Sequence, residues 1–364
     1  MKDLLRHLPL KIKLLVTVAL AFLILVTVIV ASLYSNLNTM KVKIVDQTQE
    51  TMEVEILGRL SGEAGKLGNQ IGGYIDSVMR IPITLSKSLG ASVENTGAPL
   101  TRDQVNELVK STLKANKDIS ALYAQFEPNG FDGLDADNLN SESLHTVPNS
   151  GSLEVYVIRT DENEIEQEQV TDSTEKWNAE VGEFGIREAE WYLCSKDSGK
   201  PCALDPYLYE ISEGYSELMT SLTSPIMVNN QFVGLVGIDV NLPVFQKLTE
   251  NLSKELYGGK SRITLLSEKG LIASSSHYKQ KLTRPLKEAR NDLNGKLLSL
   301  HTDKTHTLLN DGIYYVGYPI EITAAGITWS LLIELPEEVV LAGANQLVGT
   351  IDESMVSIIV TELI

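Results

Sequence analysis

Residues 217–240 read ELMTSLTSPIMVNNQFVGLVGIDV. Two runs rich in apolar and β-branched residues, Glu217 to Val228 and Gln231 to Val240, are separated only by Asn229-Asn230. Asparagine tolerates positive φ, which a two-residue hairpin turn requires, so the stretch predicts an antiparallel β-hairpin. Pro243 to Leu256 then returns to helical spacing through Phe245, Leu248, Leu252 and Leu256, and Gly258-Gly259 stops that helix.

On the N-terminal side, Ala121 to Phe126 (ALYAQF) and Leu153 to Arg159 (LEVYVIR) read as strands. Between them Glu127 to Ser150 is filled with Gly, Asn, Asp and Pro and reads as a loop. Thr101 and Gln104 form a capping-box pattern, predicting a helix to about Lys114. From Met40 to Leu89 the apolar residues step by three or four (Met52, Ile56, Leu60, Ala64, Leu67, Ile71, Ile75, Val78), the stripe of a long amphipathic helix. Pro82 is expected to kink or reset it. On the C-terminal side, strands are predicted over Arg262–Leu266, Gly270–Ser274, His306–Leu309, Tyr314–Glu321 and Thr328–Leu335, and Pro336 starts a final helix.

Leu14 to Tyr34, LLVTVALAFLILVTVIVASLY, is a run of 21 residues without a charge. At about 1.5 Å per residue it crosses a hydrocarbon core of roughly 30 Å. Lys2, Arg6, Lys11 and Lys13 precede it against Asp3 alone, which keeps the N-terminus in the cytoplasm and sends the rest outward. A cleaved secretory signal is the competing reading, but its apolar region runs only about 7–15 residues and Ala31-Ser32-Leu33-Tyr34 is a poor cleavage sequence. Met355 to Ile364 (MVSIIVTELI) is too short to span. It reads equally as the opening of a second membrane helix and as the tail of an amphipathic one.

The 364 residues carry 31 Lys plus Arg against 48 Asp plus Glu, a net charge of −17 that argues against a nucleic-acid partner. With 43% hydrophobic and 22% charged residues the chain is neither disordered nor fibrous. No HExxH, Walker or GxSxG pattern occurs, and His301 with His306 lacks a third metal ligand, so no catalytic residue, metal or cofactor is assigned. Cys194 and Cys202 flank SKDSGKP, a turn-rich loop. In an oxidising compartment they read as a local disulfide in preference to two free thiols.

The order of these segments resembles a double-Cache sensor domain, the extracytoplasmic half of bacterial methyl-accepting chemotaxis receptors. The residues that carry the likeness are the anchor and stalk, Trp191-Tyr192, Asp205-Pro206-Tyr207, Ser224-Pro225-Ile226, Gly234 to Asp239, and Trp329-Ser330-Leu331 before Ile333 to Pro336. The resemblance implies an α+β fold: one transmembrane helix, then a long helix carrying two tandem PAS-like modules with antiparallel sheets. The expected division is a cytoplasmic tail over 1–13, the membrane helix over 14–34, a stalk over 35–90, a membrane-distal ligand-binding module over 91–257 and a membrane-proximal module over 258–335. A C-terminal helix over 336–364 would lead into a truncated second membrane segment. It further implies a homodimer in the inner membrane with its sensor region in the periplasm. Cytoplasmic signalling partners would be reached only through regions outside this chain. A sensor feeding a histidine kinase or diguanylate cyclase is the alternative.

Amino-acid sensors of this type carry an aromatic, an arginine, Trp-Tyr, a tyrosine and an aspartate. The resemblance therefore implies ligand contacts at Phe184, Trp191, Tyr192, Tyr207 and Asp239. The arginine position is Ala189, with Arg187 two residues earlier as the substitute. Glu188 and Glu190 make the segment acidic, which fits a cationic ligand such as an amine. Read from the residues alone, Trp191 and Tyr192 are core aromatics before pocket lining, Arg187 is a solvated surface residue, Asp205 a turn residue, and Asp239 a ligand contact before a helix cap.

Overall fold

The computed structural model describes residues 9–95, 97–160, 164–212, 215–290 and 306–362. Lys2, Asp3, Arg6, His301 and the last two residues of the chain lie outside them. Helix α1 spans Leu10–Glu94. Its N-terminal stretch has a mean hydropathy of 3.1 over 18 residues with no side chain buried, and it is long and apolar enough to cross a membrane. From Leu60 onward the predicted stripe turns inward: Leu60, Ala64, Leu67, Ile71, Ile75 and Val78 are buried. The helix continues through Pro82, where a kink or reset was expected. Proline there removes one backbone hydrogen bond, but Val78, Met79, Leu85 and Leu89 are buried on both sides of it and hold the segment helical.

The chain divides into two compact units, residues 60–335 and residues 1–59 with 336–364. Within the larger unit, α2 (Arg102–Ala115) opens on the predicted capping box, Thr101 accepting from Gln104 N and Gln104 reaching back to Thr101 N. Strands β1 (Ala121–Phe126), β2 (Glu154–Arg159), β3 (Ile165–Glu168), β4 (Cys202–Ala203), β5 (Tyr207–Ser212), β6 (Tyr215–Val228) and β7 (Gln231–Asn241) form one antiparallel sheet. Its order is β3-β2-β1-β7-β6-β4, with β5 also on β6. The β6–β7 turn has φ of 48° and 63° at Asn229 and Asn230, as a primed turn demands. Helix α3 (Glu190–Ser198) lies between β3 and β4, its last turn falling in SKDSGKP, where the sequence predicts a turn-rich loop, and ends on Gly199 at φ 64°.

Helix α4 (Pro243–Glu255) leads to a second antiparallel sheet. It comprises β8 (Arg262–Leu266), β9 (Ile272–Ser275), β10 (His306–Asn310), β11 (Ile313–Ile322) and β12 (Ile327–Pro336), in the order β10-β11-β12-β8-β9. A short helix, α5 (Leu286–Ala289), covers it with Leu286 in a core of Leu266, Ile272, Tyr315 and Leu332. Gln246 of α4 brackets Ser275 of β9, donating to its carbonyl and accepting from its amide. α1 meets both sheets at close range. A Cβ on Gly68 would lie 2.8 Å from the Tyr318 ring of β11, and one on Gly90 would lie 2.9 Å from Met227 O of β6.

In the smaller unit, the single final helix expected from sequence is two: α6 (Glu337–Val340) and α7 (Ala342–Glu362), separated at Leu341. Lys41 pairs with Asp352 at 2.5 Å, and Gly343 leaves room for Met52.

Candidate functional site

The first sheet is buried on both faces along β1, whose six residues are all inaccessible. Side chains alternate along a strand, so the register decides which of them share a face. Tyr123 stands opposite Tyr156 on one side and Gly237 on the other. Ala121 stands opposite Asp239, which in turn stands opposite Ser221. Tyr207 and Tyr209 of β5 oppose Met219 and Glu217 of the same β6 strand. Tyr123, Tyr156, Ser221 and Asp239 therefore converge on one face, and Tyr207 joins them through its hydroxyl.

Asp239 is the polar centre of this cluster. Its side chain is buried and accepts a hydrogen bond of 2.6 Å from Ser221 Oγ. The Tyr207 hydroxyl lies 2.7 Å from Ser221 Oγ and also donates to Asp239. Burial pushes the Asp239 carboxyl up to about 6, against the opposing pull of these two hydroxyls. Among the described residues, no Lys, Arg or His pairs with Asp239. The Tyr123 and Tyr207 hydroxyls are held well above the usual phenol range, first by burial and then by the Asp239 charge.

Aromatic rings pack around this cluster. Gly237 has no side chain because the Tyr123 ring takes that space: a Cβ there would lie 2.2 Å from it. Trp191 of α3 meets Tyr123 edge to face at 5.6 Å, and Tyr123 meets Tyr156 at 6.0 Å. Tyr156 and Tyr209 are hydrogen-bonded to each other, and Tyr209 stays 39% exposed. Burial raises the Tyr209 phenol, and the Glu168, Asp239 and Glu175 charges raise it further.

Of the six ligand contacts expected from sequence, Trp191, Tyr207 and Asp239 lie in this cluster. The Tyr192 ring packs against the same aromatics, edge to face on Trp191 at 5.6 Å and in one core with Tyr123, but its hydroxyl turns away from Asp239. Its ring packs on Phe232 at 5.5 Å and its hydroxyl donates to Glu127 Oε1 at 2.7 Å. Lys196 and Trp177 reach the same oxygen at 2.7 and 3.3 Å and, with the Tyr192 hydroxyl, hold the Glu127 carboxyl below its usual range against the effect of burial. Beside them Lys176 and Glu154 form a buried ion pair. The Arg187 side chain is engaged elsewhere: Glu190 takes its Nε at 2.7 Å and Asp197 its Nη1 at 2.6 Å. Phe184 lies 4.8 Å beneath the Arg284 guanidinium. Asp239 does not cap the following helix, whose N-cap is Leu242. Cys194 of α3 and Cys202 of β4 are joined by a disulfide.

Tyr123, Tyr156, Tyr209 and Ser221 were not singled out from sequence. The available signal was the alternation in β1 and β2, which places Tyr123 and Tyr156 on one face. Each reads as an ordinary core aromatic until the register brings them to Asp239.

Residues 105–247 match the family model described as methyl-accepting chemotaxis protein-like, first PDC sensor domain. The chain is 31% identical over 253 residues to the methyl-accepting chemotaxis protein TlpQ of Pseudomonas aeruginosa, covering 69% of this chain and 35% of that one. It thus spans about a third of the length of the curated relative it matches. Among solved structures it resembles the periplasmic sensory domain of the Campylobacter jejuni chemoreceptor Tlp1, at 16% identity and a TM-score of 0.62 over 80% of this chain and 98% of that one. It also resembles the ligand-binding domain of the Pseudomonas aeruginosa amino-acid chemoreceptor PctC in complex with GABA, at 13% identity and a TM-score of 0.51 over 77% and 99%. At these identities the structural likeness establishes the fold.

Proposed function

Because this chain carries the double-Cache sensor region of a methyl-accepting chemotaxis receptor, we propose that it detects a small cationic solute, an amine before an amino acid, in the periplasm. The region is a ligand-binding sensor and not an enzyme. Residues 91–257 would be the membrane-distal, ligand-binding module and residues 258–335 the membrane-proximal one. α1 would anchor the chain in the inner membrane through Leu14 to Tyr34. Met40, Val42, Ile44 and Val54 are exposed on α1 and would be covered by a second copy of the chain.

The observation that carries the ligand reading is a buried carboxylate, Asp239, surrounded by hydroxyls and aromatic rings with no basic partner among the described residues. A buried ion without its counter-ion costs several kcal/mol. An ammonium group supplies the missing charge, and the faces of Tyr123 and Trp191 add roughly 0.5–2 kcal/mol by cation–π attraction. A free carboxylate on the ligand would need an arginine fork, and Arg187 is already engaged by Glu190 and Asp197. This ranks amines above amino acids and both above organic acids.

The test is calorimetric titration of the chain in lipid nanodiscs with panels of amines, amino acids and organic acids. An amine is expected to bind tightest, and Asp239→Asn is expected to weaken it by a factor of about 10–100, one to two tenfold steps of about 1.4 kcal/mol each. Tight binding of an organic acid, or an Asp239→Asn variant that binds as the parent does, would refute the assignment.

A further inference from the structure

Two segments lead directly into residues of the Asp239 cluster, and both rest on the second sheet's module. The loop 183–189 runs into α3 and Trp191. The turn Asp205-Pro206 runs into Tyr207. Asp205 Oδ1 accepts a hydrogen bond from Ser267 Oγ and another, at 3.1 Å, from Lys269 N. Ser267 Oγ itself accepts from Leu271 N at 3.2 Å, which fixes the direction of its hydroxyl. Lys269 Nζ donates to Gly185 O at 2.8 Å. Arg284 forks onto Glu183 at 2.7 and 2.9 Å, covers Phe184, and is steadied from its own module by Glu288 at 2.9 and 3.0 Å. Ser267 and Lys269 belong to the tight turn between β8 and β9, closed by Gly270 at φ 76°.

The N-terminal end of α3 is held from both modules: within its own, Ala189 N donates to Asn178 O at 3.0 Å and Glu188 N to Glu180 O at 2.9 Å. The C-terminal half of the helix is fastened to its own module by the Cys194–Cys202 bridge and by Lys196 on Glu127. The N-terminal end, which carries Trp191, follows the N-cap Ala189 with no side-chain cap, and the Arg187 side chain pairs with Glu190 and Asp197 of α3 itself. The loop before it is bound by Lys269 and Arg284.

We propose that Ser267, Lys269 and Arg284 are positioning residues of the ligand site, contributed by the second module to place Trp191 and Tyr207 around Asp239. The proposal rests on the Asp239 cluster being the ligand site. Each contact alone is a surface interaction of small effect. Their force lies in convergence, since three side chains of one module hold the two segments that lead to Trp191 and Tyr207 in the other. Coupling of this kind is reciprocal. A ligand that draws Trp191 and Tyr207 inward loads the β8–β9 turn. β8 is paired to β12, the strand that ends at Pro336.

Hydrogen exchange of the full chain in nanodiscs, without ligand, tests this. The Asp205→Ala/Arg284→Ala double variant is expected to raise exchange in α3 and β5 by about fivefold, a local opening effect, and to leave α2 and β1 unchanged. The conservative pair Asp205→Asn/Arg284→Lys, which retains an acceptor and a cation, is expected to restore most of the protection. Unchanged exchange in α3 and β5 overturns the proposal. So does a rise spread equally over α2 and β1, which marks general destabilisation, and so does a conservative pair that exchanges as fast as the alanine pair. The readout needs no ligand, so the separate failure of amines to bind would count against the ligand reading alone.

Discussion

Asp239 is where burial and charge conflict most openly. Its carboxyl titrates at about 6 in the fold against 3.8 as a free side chain. Between those values the fold holds a proton that the unfolded chain has released, so stability falls as pH rises from about 4 to 6 and the loss persists above. A shift of this size corresponds to roughly 3 kcal/mol. Urea melts from pH 4 to 8 should show Asp239→Asn more stable than the parent above pH 6 and lacking that part of the slope. Amine affinity should move the other way: an ammonium needs the ionised carboxylate, so binding weakens as pH drops below about 6. An Asn variant with the parent's pH slope would show that Asp239 does not carry the unpaired charge. Sequence made Trp191, Tyr207 and Asp239 legible through the family pattern. It could not separate Trp191 from Tyr192, because that depends on α3 being a helix. It could not show that the Arg187 side chain pairs with Glu190 and Asp197, because those partners depend on α3 being a helix.

At the scale of elements, legibility followed the strength of local signals. The capping box at Thr101 and the Asn229-Asn230 turn encode their geometry in a few residues and appear as read. β4 and β5 were missed because they are short segments beside Pro201 and Pro206, held as strands only by pairing with β6. α3 was hidden by an acidic, polar composition whose helicity is stabilised by tertiary anchors at Glu127 and Cys202. α1 offers a paired test of whether its glycines serve packing. Gly68 faces Tyr318, whereas Gly73, five residues on, has open space around its missing Cβ. Gly73→Ala should stabilise by about 0.5–1 kcal/mol through helix propensity. Gly68→Ala should destabilise by about 1–3 kcal/mol, since the tyrosine ring must move. Thermal melts of the two variants should therefore shift in opposite directions. Equal shifts would mean that the helix does not seat on β11 as described.

The whole molecule adds a field to the local site. With a net charge of −17, the protein attracts cations over distances that no single contact reaches. The field is screened over about 30 Å at 0.01 M salt but over about 10 Å at 0.1 M. Long-range attraction should therefore contribute to capture at low salt and fade as salt rises, while the buried contacts around Asp239 keep most of their strength. For an amine, the association rate measured by tryptophan quenching should fall several-fold between about 0.01 and 0.3 M salt, and the dissociation rate should change little. A zwitterionic amino acid, with no net charge, should show almost no such dependence. The two rates separate the roles of surface and site. If salt instead acts on dissociation, the cation is held by exposed carboxylates such as Glu166 and Glu168 rather than by the buried one. If salt acts on neither rate, the ligand carries no net positive charge, and the aromatic walls of the cluster bind it without the help of Asp239.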